Sequence, residues 1–267
     1  MVAARAGAKQ ACKVVVDVSP TEAAVGTRLC ALFADAARKA IADKGSFTVA
    51  VPGGSVLKML GGLKEQKGID WSKVHLYYVN HKVLPHSDPA STHKKALAGF
   101  VQAVGLPEAN VAAPLEPAPG QDLSAAASAA ASDYESRLRA AAASLGLPLA
   151  QSGAPRLDWM LLGMGADGHV GSLYPNKPTL EERTAWVLPF QKSADAASIT
   201  LSLPVMAAGR EVVICLTGAK KAPAVRLAVE GGAQPGELPG AMVAPAPDAT
   251  LTWLLDEAAA AELGGKR

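Results

Sequence analysis

The sequence predicts an α/β fold built on a mainly parallel sheet, and three observations carry that prediction. Short, β-branched apolar runs alternate with longer segments of helical periodicity from Lys13 onward, the order that builds parallel sheets covered by helices. The runs themselves, such as residues 47–51 and 156–162, are close to continuously apolar, as strands buried on both faces should be. Two of them end in glycines, at the carboxyl ends of strands, where such sheets hold their ligands.

Residues 13–18 read as the first strand. Ser19-Pro20-Thr21-Glu22 then forms a capping box with Pro20 at the first helical position. The helix it opens should reach about residue 42, because Val25, Leu29, Leu32, Phe33 and Ala36 recur at three- and four-residue spacing and make one face apolar. Residues 47–51 are the second strand, followed by Gly53 and Gly54 and a helical stretch from near Val56. That order leaves backbone N–H groups free to hold an anion, although glycines in such a turn also serve simple chain reversal. Residues 74–79 are a third strand with Asn80-His81-Lys82 at its carboxyl end, and a helix is expected over 92–104. A proline-rich surface connection (114–120) leads to an alanine-rich helix over 123–145. Residues 156–162 form a strand that enters a glycine loop. Strands near 198–203 and 211–217, a helix over 220–229, and a last strand and helix from Leu251 complete the alternation. No internal repeat is evident.

A chain of 267 residues with 49% hydrophobic content can bury one large core, and a single domain is expected over 14–267. A flexible basic tail is expected over 1–13, a segment with Arg5, Lys9 and Lys13 and no acid. It fits the remnant of an organelle transit sequence and a frayed terminus equally well. A net charge of +2 offers no general attraction for nucleic acid, so any anion site must be a local cluster. Cys12, Cys30 and Cys215 are odd in number and contain no CxxC pair, which argues for a reducing compartment and against a disulfide framework. No apolar run of about eighteen residues is present, so a soluble protein without a membrane partner is expected.

The chemistry concentrates in Gly163-Met164-Gly165-Ala166-Asp167-Gly168-His169. A histidine delivered to the strand-end crevice can take and return a proton near neutral pH. A bare Gly-x-Gly is weak evidence by itself, and an incidental histidine in a turn is the bland alternative. Asp167 can orient the loop or merely cap the turn through its own backbone. His75, His81, His86 and His93 fall in one stretch, but their spacings are not a compact ligand set, so no metal is expected.

Read to Pro175, the loop GMGADGHVGSLYP closely resembles the signature GMGxDGHxxSLFP of the 6-phosphogluconolactonase family. Val51-Pro52-Gly53-Gly54-Ser55 resembles the family's GGS phosphate loop, and Ile199-Thr200-Leu201-Ser202-Leu203-Pro204 its ITLTLP segment. Thr217-Gly218-Ala219-Lys220-Lys221-Ala222 is similar to its TGxxKA, and Thr252-Trp253-Leu254-Leu255-Asp256 to its C-terminal strand and helix start. Order and spacing agree over residues 14–261. The resemblance implies a Rossmann-like three-layer sandwich. It implies hydrolysis of 6-phospho-D-glucono-1,5-lactone to 6-phosphogluconate in the oxidative pentose phosphate pathway, without metal or organic cofactor. It further implies that His169 activates water beside Asp167, and that Gly53, Gly54, Ser55, Lys82, Gly165, Gly168 and Lys221 contact the phosphorylated sugar lactone, with Lys220 as the neighbouring alternative. The expected location is cytoplasm or plastid stroma.

The departures from the pattern matter too. Asn80-His81-Lys82 stands where the family has Asp-Glu-Arg, and Ser198 where it has the arginine of Arg-Ile-Thr. Lysine lacks the bidentate fork of arginine, and each lost charge-assisted contact costs about 1.5–3 kcal/mol. Lys192, Lys94 and Lys95 are the nearby replacements to be located. Two alternatives follow. One is a non-catalytic paralogue serving as an assembly subunit with a protein partner, or as a sugar-phosphate binder. The other is a glucosamine-6-phosphate deaminase, which ranks last because it requires a carboxylate base at the position of Asn80 and FNEP at 172–175.

Overall fold

A computed structural model describes residues 12–264. The expected tail over 1–13 therefore lies outside the described residues except for Cys12, which packs against the core, and Lys13, which opens the first strand. Among the described residues nine strands form: β1 (Lys13–Ser19), β2 (Phe47–Val51), β3 (Val74–Tyr78), β4 (Asn80–Lys82), β5 (Trp159–Leu162), β6 (Val187–Ser193), β7 (Ala196–Leu201), β8 (Glu211–Leu216) and β9 (Thr250–Asp256). Six of them make one parallel sheet in the order β1-β9-β8-β5-β2-β3, and β4-β7-β6 make a small antiparallel sheet.

Side-chain alternation along the parallel strands divides the interior in two. Phe47, Val49, Val51, Trp159, Leu161, Val213 and Cys215 point to one face, where they meet α1 (Glu22–Lys44), α2 (Ser55–Met59) and the helical segment after residue 91. Ala50, Met160, Leu162, Val212, Ile214 and Leu216 point to the other, toward α5 (Leu123–Ser144), α6 (Leu203–Ala207), α7 (Ala222–Glu230) and the antiparallel sheet. The result is the three-layer α/β sandwich that the resemblance implies, with strands apolar on both faces because both are covered.

The helix expected over 92–104 forms as α3 (Thr92–Ala96), a π turn (Leu97–Val101) and α4 (Gln102–Val104), and stops at Gly105 with φ 73°. Four local expectations need correction. The cap of α1 is Thr21, whose hydroxyl accepts from the Ala24 N–H, and not Ser19. Pro20 holds the preceding residue extended, so Ser19 stays in β1 opposite Asp256. β5 begins only at Trp159, since Arg156 is drawn to Asp248 and Asp158 to Thr48. No helix follows β9 among the described residues. The Asp256 carboxylate is committed to the N–H groups of Gly218 and Ala259, and residues 257–262 close only as turns. Finally, β6 was not expected at all, because Pro189 interrupts its pattern. An edge strand tolerates proline, and β6 lies at the edge of its sheet.

Candidate active site

The carboxyl ends of β2, β5 and β8, with β4, β6 and β7 opposite, enclose a cavity of about 460 Å³. His169, Gly53, Gly54, Ser55, Lys82, Gly165 and Lys221 all line it. Segments that are far apart in sequence meet here because parallel strands deliver every following loop to the same edge.

The loop after β5 is closed on itself. Gly165 N–H donates to the His169 carbonyl at 2.8 Å, and Gly168 N–H to the Gly165 carbonyl at 3.1 Å. A Cβ on Gly165 would collide with the His169 ring and the Asp167 carboxylate. Gly168 has φ 82°, a left-handed value that glycine adopts without strain, and Leu238 packs where its side chain would be. The backbone of this loop is thus folded around the imidazole.

Asp167 orients the histidine rather than only capping its own turn. Its Oδ1 accepts from the His169 N–H at 3.3 Å and from the ring Nδ1 at 2.6 Å. Burial pushes the Asp167 carboxyl up, but the hydrogen bonds from His169 together hold it below its ordinary value. A carboxylate accepting from Nδ1 assigns the ring proton to Nδ1, which leaves Nε2 as the basic nitrogen, without a hydrogen-bond partner among the described residues. Tyr174 stacks on His169 at a centroid distance of 4.7 Å and 23° between planes, and Phe190 stacks on Tyr174 at 4.9 Å. Sequence reasoning did not single out either ring; Phe190 was hidden with the unrecognised strand β6.

Gly53 N–H donates to Asn80 Oδ1 at 3.2 Å, and Thr92 Oγ1 closes on the position a Gly53 Cβ would take, so the glycine turn is packed against β4 and α3. Lys221 Nζ donates to the Met164 carbonyl at 2.7 Å. Its ammonium lies below the usual lysine range because burial desolvates it, an effect that the Asp167 charge opposes. Lys220 does not line the cavity. Of the three lysines considered as replacements, Lys192 reaches the cavity, with its Nζ 5.7 Å from the Tyr174 ring centre. Lys94 and Lys95 instead donate to the carbonyls of Ser87 and Ala90. Ser198, paired with Lys82 across β7 and β4, donates its hydroxyl to Ser172 at 2.9 Å.

Three of the sequence-clustered histidines do meet, as structural props. His81 Nε2 accepts from the His93 N–H at 3.1 Å and its Nδ1 lies 2.6 Å from the Lys82 carbonyl, while Tyr78 Oη bonds His93 Nδ1 at 2.9 Å and His86 Nε2 bonds the Pro114 carbonyl. Burial, with the charges of His86 and His93, pushes His81 down to about 4. Among the described residues no group of three or more His, Cys, Asp or Glu side chains is arranged to hold a metal ion.

Comparison with known proteins gives the family and the fold. Residues 20–253 match the family described as glucosamine-6-phosphate isomerases/6-phosphogluconolactonase. The chain is 35% identical over 239 residues to "Probable 6-phosphogluconolactonase 4, chloroplastic" of Oryza sativa subsp. indica, covering 87% of this chain and 72% of that protein. It is 36% identical over 236 residues to "6-phosphogluconolactonase 3, chloroplastic" of Arabidopsis thaliana, covering 86% and 69%. Among solved structures, 6-phosphogluconolactonase from Trypanosoma brucei matches with a TM-score of 0.81 at 20% identity over 95% of this chain and all of that one. A monomeric glucosamine-6-phosphate deaminase matches with 0.69, also at 20% identity, over 94% and 99%. At such identities these two structures testify to the fold alone.

Proposed function

The chain belongs to the glucosamine-6-phosphate isomerase/6-phosphogluconolactonase family, and from that premise we propose that it is a lactonase that hydrolyses 6-phospho-D-glucono-1,5-lactone to 6-phosphogluconate. The observation that carries the proposal is the Asp167–His169 pair, with Nδ1 bonded at 2.6 Å and Nε2 left to the cavity. A δ-lactone is an activated ester, and its opening asks for one group that first accepts and then returns a proton.

In this mechanism Nε2 takes a proton from water as the water oxygen bonds to the lactone carbonyl carbon. The resulting imidazolium is stabilised by the Asp167 carboxylate. As the tetrahedral intermediate collapses, the bond from that carbon to the ring oxygen breaks, and His169 gives the proton to the departing oxygen. Base and acid are the same nitrogen, so the site regenerates itself. Gly165 and Gly168 allow the imidazole its place, and Gly53, Gly54, Ser55, Lys82 and Lys221 are the groups proposed to face the substrate. A deaminase reading lacks its base, because the Asn80 amide oxygen accepts from Gly53 and cannot take up a proton at neutral pH.

We place the reaction in cytoplasm or plastid stroma. Relatives named chloroplastic and relatives named without a compartment both match, and no helix among the described residues is long and apolar enough to cross a membrane. The test is hydrolysis of freshly generated 6-phosphogluconolactone, corrected for spontaneous opening. His169→Ala should cost about 10²–10⁴-fold in kcat; a wild-type rate no faster than spontaneous opening would overturn the reading.

A further inference from the structure

The two edges of the parallel sheet are finished differently. At β3 the outward backbone groups have partners: the Leu76 carbonyl accepts from the Ala112 N–H at 2.8 Å, and the Tyr78 N–H donates to Tyr134 Oη at 2.7 Å. Every residue of that strand is buried or half-buried. The opposite edge, β1, has no such cover among the described residues. Its Lys13 N–H donates to the Ala249 carbonyl at 3.2 Å and its Ser19 carbonyl accepts from the Glu257 N–H at 3.0 Å, so the odd-numbered residues turn their backbone toward β9. Backbone direction alternates along a strand. The N–H and C=O groups of Val14, Val16 and Val18 therefore point away from the sheet, without a partner among the described residues.

The side chains of these valines are left open as well. Val14, Val16 and Val18 stand opposite Leu251, Trp253 and Leu255 of β9 and share their face of the sheet. The three β9 residues are buried in the core, whereas the valines are 55%, 41% and 41% exposed. No proline, bulge or lysine interrupts residues 14–18. An open, β-branched edge of this kind is a template for pairing with another strand, and proteins that do not use such an edge blunt it.

We propose that β1 pairs with β1 of a second copy of this chain, antiparallel about a two-fold axis through Val16. The occupant follows from self-complementarity. In this register Val14 lies opposite Val18 of the second copy and Val16 opposite its own counterpart, so every outward N–H and C=O of the valines is bonded and their side chains form one apolar row. On the other face Lys13 comes diagonal to Asp17 of the second copy, about 7–8 Å away and within reach of a long side chain. Lys13 is exposed and in no ion pair among the described residues, and Asp17 gives only Oδ2 to Arg28, at 2.8 Å. The same opposite-charge pair recurs on both sides of the axis. An unrelated extended peptide would match the backbone groups but not this repeated charge. A two-fold contact uses the same patch on both copies and closes, so assembly stops at two. One seven-residue strand from each copy is a small interface, which makes the dimer reversible and dependent on concentration.

The experiment is sedimentation velocity over a concentration series, on the full chain and on Val16→Lys and Lys13→Glu. The wild type should pass from monomer to dimer as concentration rises. Val16→Lys sets two ammonium groups on the axis and should raise the dissociation constant about tenfold or more; Lys13→Glu, facing Asp17, should raise it about threefold. Both substitutions are at exposed side chains, so thermal melts should show both variants folded as the wild type is. Val16→Cys tests the register, because α-carbons about 5.5 Å apart across a hydrogen-bonded antiparallel pair are within disulfide reach. Mild oxidation should link two chains of Val16→Cys and not of Val14→Cys, whose thiols would start roughly 13 Å apart; the wild type oxidised alongside accounts for Cys12. A wild type that stays monomeric overturns the proposal. If the Val16 amide of that monomer is nonetheless protected from hydrogen exchange, the edge belongs to the chain's own residues 1–11. A dimer that Val16→Lys leaves intact overturns it too, and places the interface elsewhere.

Discussion

Strand β5 is flanked by two aspartates, Asp158 before it and Asp167 in the loop after it. Asp158 has a side chain only 7% exposed and accepts from the Thr48 N–H and hydroxyl, both at 2.8 Å, and from Lys44 at 2.9 Å, with Arg210 at 3.8 Å. Asp167 is 54% exposed in its side chain and has one partner residue, His169. At the amino end of the strand the Asp158 carboxylate is answered by an N–H, a hydroxyl and two cations, and the result is a clasp joining β2, β5 and α1. At the carboxyl end one hydrogen bond fixes a ring that lines the cavity, and the other ring nitrogen has no hydrogen-bond partner among the described residues. The difference teaches that a site is recognised less by which residues it contains than by which of their bonds are left unmade.

The largest expected effects come from removing each aspartate in turn. Asp158→Ala should cost roughly 3 kcal/mol or more of stability, since it strands a buried N–H and the charge of Lys44, while kcat of the folded fraction stays unchanged. Asp167→Ala should do the reverse, lowering kcat about 10- to 100-fold with little change in melting temperature. Denaturant melts and steady-state kinetics on both variants decide this; the same loss in both variants would break the comparison.

A second contrast sets the satisfied imidazole of His81 against the open one of His169. The unfolded His81 ring titrates at its ordinary 6.5 and the folded ring at about 4, so between those values the native state binds fewer protons. Stability is therefore complete above pH 6.5 and falls as pH drops toward 4, by on the order of 3 kcal/mol. Around it stand His86, His93 and Tyr78, with Glu108 and Glu116 acting on His93. Melting temperature measured at pH 7 and pH 5 should drop in the wild type, and His81→Asn should flatten that dependence. An unchanged slope would mean that another group titrates.

The smallest effect sharpens how His169 is held. Tyr174→Leu removes the ring stacked on the imidazole and should lower kcat about tenfold, whereas Tyr174→Phe keeps the stack and should stay within about twofold. If both variants lose activity equally, it is the hydroxyl that matters.

Much of this was legible in the chain. Strand β2 and helix α5 lie where their patterns place them to within a residue, because continuous apolar runs and alanine-rich helical stretches are local signals. The Gly165, Asp167, Gly168 and His169 loop was legible for the same reason, since it spans a few consecutive residues. The ambiguity over Asp167 was not resolvable locally, because capping a turn and orienting a ring use the same carboxylate. Strand β6 was invisible because Pro189 is allowed only by the edge position that the sheet assigns. The capping box at Ser19 misled because its residues are correct in type but Ser19 is claimed by pairing with β9.

What the sequence determined by itself, then, is the alternation of elements, the two glycine turns and the histidine that follows the second, all of which depend on short-range sterics and periodicity. What only the tertiary structure decided is which lysines line the cavity. Lys82, Lys192 and Lys221 come from the two outer strands of the antiparallel sheet and from the turn after β8, and Lys94 and Lys95 are equally basic but bonded elsewhere. The charge of a lysine is a property of its residue type. Whether that charge faces a cavity, and whether a carbonyl has already claimed it, depends on contacts between segments far apart in the chain.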